Sequence, residues 1–131
     1  MSADLTLADD RLRRLWPEIH AAYVQDHPGH DALLTCTYRS PAEQALLYAK
    51  GRSAPGAIVT NCDGLTVVSK HNHFLSLALD FCILIHGKVS WDPADYRWVG
   101  ALAEARGLVW GGAWTRFPDA PHLELPEGGT T

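Results

Sequence analysis

The sequence predicts an α+β fold, in which one small domain has a central, mostly antiparallel sheet flanked by helices. Segments with helical periodicity and short apolar segments of strand length are both present, but they do not alternate strictly as in a doubly wound fold. The 131 residues suffice to bury one hydrophobic core without a disulfide or a structural metal. We therefore expect a single domain over residues 1–125 and a disordered tail over residues 126–131.

Three segments have the signals of helices. Residues 7–25 place apolar side chains three and four positions apart, which is typical of an amphipathic helix. Residues 41–50 follow Ser40, a favourable N-cap, and include Glu43, which completes a capping box. Residues 92–107 begin with an Asp-Pro pair and end with glycine, and apolar residues recur at helical spacing between them.

Short apolar segments predict the strands, which we assign to residues 31–38, 65–69, 77–85, 108–110 and 122–125. His86, Gly87 and Lys88 resemble a turn between two strands. Residues 51–64 contain three glycines and one proline and show little periodicity, so they form a predicted loop. Because loops on rigid scaffolds often border binding clefts, we expect this loop to lie near a functional site.

Composition and charge exclude several classes of protein. The net charge of -4, without a local run of lysine or arginine, argues against a nucleic-acid partner. No apolar stretch reaches the length of a membrane span, and residues 1–10 lack the apolar region of a signal peptide. Cys36, Cys62 and Cys82 lack zinc-ribbon spacing and indicate reduced thiols. We expect a monomer that is synthesised in the cytoplasm and does not insert into membranes.

Candidate metal ligands lie in two separated segments of the sequence. The first segment offers His71, His73 and Asp80, and the second offers His122. Two imidazoles and one carboxylate match the ligand set of a catalytic zinc ion, which keeps its fourth position for water. Asp80 lies in an apolar strand, where burial of a carboxylate is costly unless it meets a cation. Each histidine alone has an ordinary explanation as a surface or core residue, but the combination predicts one Zn2+ site and a hydrolase.

The predicted ligands can meet only if the strands that carry Asp80 and His122 are neighbours in the sheet. Asp119 lies three residues before His122 and is a candidate general base and acid for metal-assisted hydrolysis. The alternative for Asp119 is a turn after Pro118. Glu124 shares the strand face of His122, so it either contacts that histidine or faces solvent.

Arg39 and Trp110 are candidate cleft residues. Arg39 follows a predicted strand and precedes a capped helix, so its guanidinium is well placed to bind a substrate carboxylate. An ion pair with an acid of the protein is the alternative. Trp110 precedes two glycines and Trp114, which favours an aromatic cleft rim, although core packing explains Trp110 equally well.

Four blocks of the sequence resemble the LAS-type zinc peptidases of family M15, which cleave bacterial cell-wall peptides. The blocks are residues 38–44 with 51–52, residues 69–71 leading to 78–80, residues 107–114, and residues 119–124. The resemblance extends over residues 31–125 and depends on the order and spacing of the blocks. It implies the LAS, or hedgehog-like, α+β peptidase fold with one bound Zn2+ ion.

The resemblance also implies roles for individual residues. The implied zinc ligands are one histidine of the second block, Asp80 and His122. Asp119 is the implied catalytic base, and Arg39 helps to bind or orient the substrate. Together with the rim residue, the predicted substrate-binding residues are Arg39, Gln44, Ser69 and Trp110.

The second block departs from the family's common pattern, Ser-x-His-x-x-Gly-x-Ala-x-Asp. His71 follows Ser69 as the pattern requires but precedes Asp80 by nine residues, whereas His73 has the seven-residue spacing without the serine. A longer phage-type version of the block resembles residues 71–80, with leucine in place of a proline, and favours His71. His73 remains the alternative, and residues two apart on a strand share a face.

The resemblance implies a phage-type endolysin that hydrolyses the bond between L-alanine and D-glutamate in the peptidoglycan stem peptide. Two other functions remain open: a D-alanyl-D-alanine carboxypeptidase or dipeptidase, and a catalytically silent cell-wall-binding module. Because residues 1–10 do not resemble a signal peptide, we expect the enzyme to reach the cell wall in the host periplasm only after another factor permeabilises the membrane.

Overall fold

The structure, a computed structural model, describes residues 1–126, so residues 127–131 of the predicted tail lie outside the described part of the chain. The α-helices are α1 (Asp10–Asp26), α2 (Pro41–Ala49) and α3 (Arg97–Glu104). The strands are β1 (His30–Cys36), β2 (Ala78–Ile85), β3 (Lys88–Val89), β4 (Val109–Trp110) and β5 (His122–Glu124). Within residues 1–126, no helix is long and apolar enough to cross a membrane.

The strands pair antiparallel in one sheet, which confirms the predicted α+β architecture. The order is β1-β2-β5-β4, and β3 pairs with the end of β2. The register of β2 against β5 places Asp80 opposite His122, so the strands that carry these residues are neighbours, as the sequence requires. On the other side of β2, Cys36 lies opposite Asp80, next to an irregularity in β1. Cys36, Asp80 and His122 therefore form one row across β1, β2 and β5.

The two faces of the sheet differ in polarity. Leu79, Phe81 and Ile83 of β2 are fully buried in the hydrophobic core, where Trp16 of α1 packs against Phe81 with ring centroids 5.8 Å apart. Because side chains alternate between the faces of a strand, Asp80 lies on the opposite face. The candidate site therefore occupies the face of the sheet that α1 leaves open.

The predicted turn between β2 and β3 is present. His86 and Gly87 have φ angles of 49° and 80°. Two consecutive residues with positive φ are typical of a type I′ hairpin turn, whose twist matches that of the paired strands. Glycine adopts this conformation without steric cost, and histidine is among the residues that tolerate it.

The strand predicted over residues 65–69 was wrong. The carboxylate of Asp63 accepts hydrogen bonds from the backbone N–H groups of Leu65, Thr66 and Val67, at 2.8, 2.8 and 3.0 Å. This local turn satisfies backbone donors that a strand would pair across a sheet. The chain then forms a 3-10 helix over Lys70–Asn72, so His71 lies on a helical turn and not on a strand.

Candidate metal and catalytic site

Three of the predicted ligands meet on the open face of the sheet. Nε2 of His71 and Nδ1 of His122 each lie 3.1 Å from the same oxygen, Oδ1 of Asp80. His71 and His122 are almost fully buried, at 2% and 7% exposure, whereas His73 is exposed. The 3-10 helix separates the directions of the two histidines, so only His71 of this pair contacts Asp80.

In each imidazole, the ring nitrogen that does not contact Asp80, here called the outer nitrogen, lies at hydrogen-bond distance from an acceptor. Nδ1 of His71 lies 2.8 Å from the carbonyl oxygen of Thr37, and Nε2 of His122 lies 2.8 Å from Oε1 of Glu124. With a metal bound, each ring would keep its proton on this outer nitrogen and would offer the lone pair of its inner nitrogen to the metal. Metal-binding histidines are usually oriented in this way by a carbonyl or carboxylate. Glu124 is itself held by Lys70 at 2.8 Å.

The charges of the cluster fit a divalent cation. Burial lowers the pKa of His71, but hydrogen bonds with Asp80 and Cys36 raise it to about 10. The pKa of His122 is likewise raised, because contacts with Asp80 and Glu124 outweigh its burial. The pKa of Asp80 is lowered by both imidazoles despite its burial. The cluster therefore favours a positive charge between its donor atoms. A single Zn2+ ion bound by His71, Asp80 and His122 would supply this charge.

Asp119 lies beside this cluster, on its accessible side. Its Oδ2 is 4.0 Å from Nδ1 of His122, and its side chain is 45% exposed. Donor atoms of Asp80, Asp119 and His122 all lie within 4.8 Å of one another. Burial and the nearby negative charge of Asp80 raise the pKa of Asp119 above its ordinary value. A carboxylate with a raised pKa is better able to accept a proton and return it, as a general base and acid must.

Arg39 connects the cluster to the loop over residues 51–64. Its Nη2 lies 3.3 Å from Oδ2 of Asp80, and its Nη1 donates to Gln44 at 2.8 Å. Gln44 is fully buried and donates to the carbonyl oxygen of Cys62 at 2.9 Å, so it lies behind Arg39 rather than in the cleft. Ser69 lines the cleft, and its hydroxyl accepts a hydrogen bond from the backbone of His71 at 3.2 Å.

A cleft of about 670 Å³ opens over the cluster. Helix α2 and the loop that follows it contribute Leu47, Lys50 and Val59, and the loop after β4 contributes Trp114, Arg116 and Phe117. His71, Asp80, Asp119 and His122 all line the same cleft. Its size is within the range of small-molecule and peptide sites in enzymes.

Comparison with known sequences gives matches to one peptidase family. The M15 peptidase family model described as D-alanyl-D-alanine carboxypeptidase matches residues 66–125. The chain is 38% identical, over 107 residues, to the peptidoglycan L-alanyl-D-glutamate endopeptidase CwlK of Bacillus subtilis strain 168. In sequence, the chain is similar to the M15 family. The match covers 74% of this chain and 62% of CwlK, so the chain spans about three fifths of that relative's length.

Solved structures share the fold of this chain. The crystal structure of the L-Ala D-Glu endopeptidase ChiX of Serratia marcescens superposes with a TM-score of 0.66 at 22% identity, over 96% of this chain and 87% of ChiX. A mutant of the vancomycin resistance D,D-pentapeptidase VanY from a VanB-type cassette, in complex with Zn(II), gives a TM-score of 0.60 at 19% identity. That match covers 90% of this chain and 72% of VanY. Both confirm the predicted peptidase fold.

Trp110 is placed differently from the prediction of a substrate-binding rim. Its ring packs against Gly100 of α3, where a Cβ atom would lie 2.2 Å from the ring, and its Nε1 donates to the carbonyl oxygen of Ala120 at 2.8 Å. Trp110 therefore belongs to the packing of α3 against the sheet, which was the alternative explanation. The tryptophan at the site is Trp114, whose ring centroid lies 5.3 Å from that of His122.

Sequence reasoning missed two contributors to the site. Thr37 acts through its backbone carbonyl, which has no side-chain signature, although its position two residues before Arg39 was a possible clue. The ion pair between Lys70 and Glu124 joins residues far apart in the sequence, and only the structure brings them together.

Zinc affinity of the metal-free chain should increase with pH. The pKa of His71 is raised to about 10 and that of His122 is also raised, so zinc must compete with protons for these rings. We expect about one proton, that of His71, to be released per zinc ion at pH 7, with affinity rising as the pH approaches 10. Calorimetry in two buffers of different ionisation enthalpy measures this number. Binding without proton release would contradict the charge distribution described above.

The turn that carries Asp119 depends on Gly111. A Cβ atom at Gly111 would lie 2.4 Å from the carbonyl oxygen of Asp119 and 3.1 Å from Cβ of His122. Gly111→Ala should displace the carboxylate and lower kcat by roughly 100-fold, because small misplacements of reacting groups are costly. Steady-state kinetics measure the loss, with Ala113→Ser as the nearby control. An unchanged kcat in Gly111→Ala would show that this close packing does not position Asp119.

Proposed function

We propose that this chain is a zinc-dependent peptidoglycan peptidase that hydrolyses the bond between L-alanine and D-glutamate of the stem peptide. The observation that carries the proposal is the position of Asp119. Its carboxylate lies 4.0 Å from His122, beside the His71, Asp80 and His122 donors and at the accessible side of the cleft. The choice of bond is supported by the similarity of the chain to CwlK and ChiX, both L-alanyl-D-glutamate endopeptidases.

The residues of the site divide the work of hydrolysis. His71, Asp80 and His122 would hold the zinc ion, which would supply Lewis-acid polarisation of the scissile carbonyl and of a water molecule. Asp119 accepts the proton of the attacking water and passes it to the leaving nitrogen as the C–N bond breaks. Thr37 and Glu124 hold His71 and His122 in position, and Arg39 holds the second oxygen of Asp80.

Digestion of purified peptidoglycan tests the proposal. Mass analysis of the products should show new amino termini on D-glutamate and new carboxyl termini on L-alanine. Release of terminal D-alanine would instead indicate a D-alanyl-D-alanine carboxypeptidase, the activity in the description of the matching family model. Intact peptidoglycan after incubation with zinc-loaded protein would indicate a catalytically silent wall-binding module.

We extend the proposal to a phage-type lytic role, for which the support is the resemblance of residues 71–80 to phage-type relatives. In this role the chain acts as a monomer on the host cell wall once the membrane has been permeabilised. Turbidity of a suspension of permeabilised cells should fall after addition of the protein, whereas intact Gram-negative cells should resist it. Size-exclusion chromatography checks the monomer.

A further inference from the structure

Some charged side chains that line the cleft do not belong to the metal and catalytic site described above. Two of its acids have close cationic partners, since Asp80 meets Arg39 at 3.3 Å and Glu124 meets Lys70 at 2.8 Å. Lys50 and Arg116 also line the cleft and are exposed. Within residues 1–126, neither side chain has a hydrogen bond or ion pair with another residue. The cleft of an acidic protein therefore presents two cations that remain available to a ligand.

The backbone next to Arg116 is unusual. Phe117 has a φ of 51°, in the left-handed region that a bulky non-glycine residue adopts at a cost of about 1 kcal/mol or more. Phe117 is 50% exposed, so burial of its ring does not explain the conformation. Trp114, Arg116 and Phe117 all line the cleft from this one loop. A strained and exposed segment that lines a cleft, and in which a cation lies between two aromatic residues of the sequence, is typical of recognition sites.

The direction of the proposed reaction places the substrate relative to this loop. When a bond between L-alanine and D-glutamate is cleaved, the leaving nitrogen belongs to the glutamyl residue. Asp119 returns its proton to that nitrogen, so the glutamyl residue must lie next to Asp119. Arg116 precedes Asp119 by three residues, which span at most about 11 Å even when extended. Both residues line the same cleft, so the guanidinium of Arg116 is a candidate contact for the leaving residue.

A glutamyl residue keeps one free carboxylate whichever of its two carboxyl groups continues the peptide. A guanidinium binds such a carboxylate with two parallel charge-assisted hydrogen bonds. We propose that Arg116 is the specificity-determining residue that binds the free carboxylate of the D-glutamyl residue on the leaving-group side. This inference rests on the proposed cleavage between L-alanine and D-glutamate.

Two synthetic peptides test the inference. The first contains the L-alanyl-D-glutamyl bond with the free glutamyl carboxylate, and the second is identical except that this carboxylate is a carboxamide. The zinc-loaded wild type should cleave the acidic peptide with a kcat/KM about tenfold higher than the amidated one. In Arg116→Gln the acidic peptide should lose about this factor, mainly through KM, while the amidated peptide should be cleaved as before.

Lys50→Gln is the matched control, because it removes the same charge from another part of the same cleft. This variant should keep the preference for the acidic peptide. A preference that survives in Arg116→Gln, or that disappears in Lys50→Gln, would overturn the assignment to Arg116. Equal cleavage of both peptides by the wild type would also overturn it, while the proposed function would stand. If the wild type cleaves neither peptide, the proposed bond is wrong and the inference falls with it.

Discussion

Replacement of Asp119 by alanine should abolish peptidoglycan hydrolysis while the protein still folds and binds zinc. The carboxylate is placed to move a proton between water and the leaving nitrogen, and positioned groups of this kind accelerate reactions by about 10²- to 10⁴-fold. Asp119 is a predicted base rather than a predicted zinc ligand, and its side chain is 45% exposed, so the fold does not depend on it. Hydrolysis kinetics, zinc content and circular dichroism measure the three properties.

Two further variants sharpen this test. Asp119→Asn keeps the shape of the side chain and removes only its ability to accept a proton, so it should be as inactive as Asp119→Ala. Asp26→Asn, at the end of α1 and outside the cleft, should remain fully active. A fully active Asp119→Asn protein with normal zinc content would show that another group is the base.

Replacement of His71 or His122 by alanine should remove zinc binding. Each imidazole presents its inner nitrogen to the same oxygen of Asp80, so the loss of either ring leaves two protein donors where a catalytic zinc site uses three. Zinc content measured by atomic absorption after dialysis should fall from one ion per chain to near none. Hydrolytic activity should be lost in parallel.

His73→Ala is the matched control for the two ligand variants. His73 is only two residues from His71, and its spacing to Asp80 made it the alternative ligand, but it is exposed in the structure. The variant should bind one zinc ion with wild-type affinity. Loss of zinc from His73→Ala, with zinc retained in His71→Ala, would reverse the assignment of the first ligand.

The contact between Asp80 and His122 could be predicted because two features of the sequence indicate it. A carboxylate inside an apolar strand requires a cationic partner, and a second strand near the end of the chain carries a histidine beside two acids. The pairing of β2 with β5 is expected from these two features and from the resemblance of the four blocks to the LAS-type peptidases. The structure places Arg39 next to the cluster. Both predicted interpretations of Arg39, a cleft residue and a partner in an ion pair, are compatible with this position, because Arg39 lines the cleft and also pairs with Asp80.

The conformation of residues 65–69, which precede His71, could not be predicted from the sequence. Thr66, Val67 and Val68 have high strand propensity, but the carboxylate of Asp63 accepts hydrogen bonds from the local backbone donors and prevents a strand. Strand propensity mainly reflects packing on a half-buried surface, and among the described residues this segment has no sheet neighbour. The expectation that His73 could share a strand face with His71 does not apply, because His71 lies in a 3-10 helix that Ser69 caps.

Strand β5 consists of only three residues, yet the proposed activity depends on it. It carries His122 and the carboxylate of Glu124 that fixes it, and the turn before it carries Asp119. Without the pairing of β5 with β2, His122, Glu124 and Asp119 would not be held beside Asp80. Local opening at this one strand would therefore remove a proposed zinc ligand, the acid that orients it and the proposed base together.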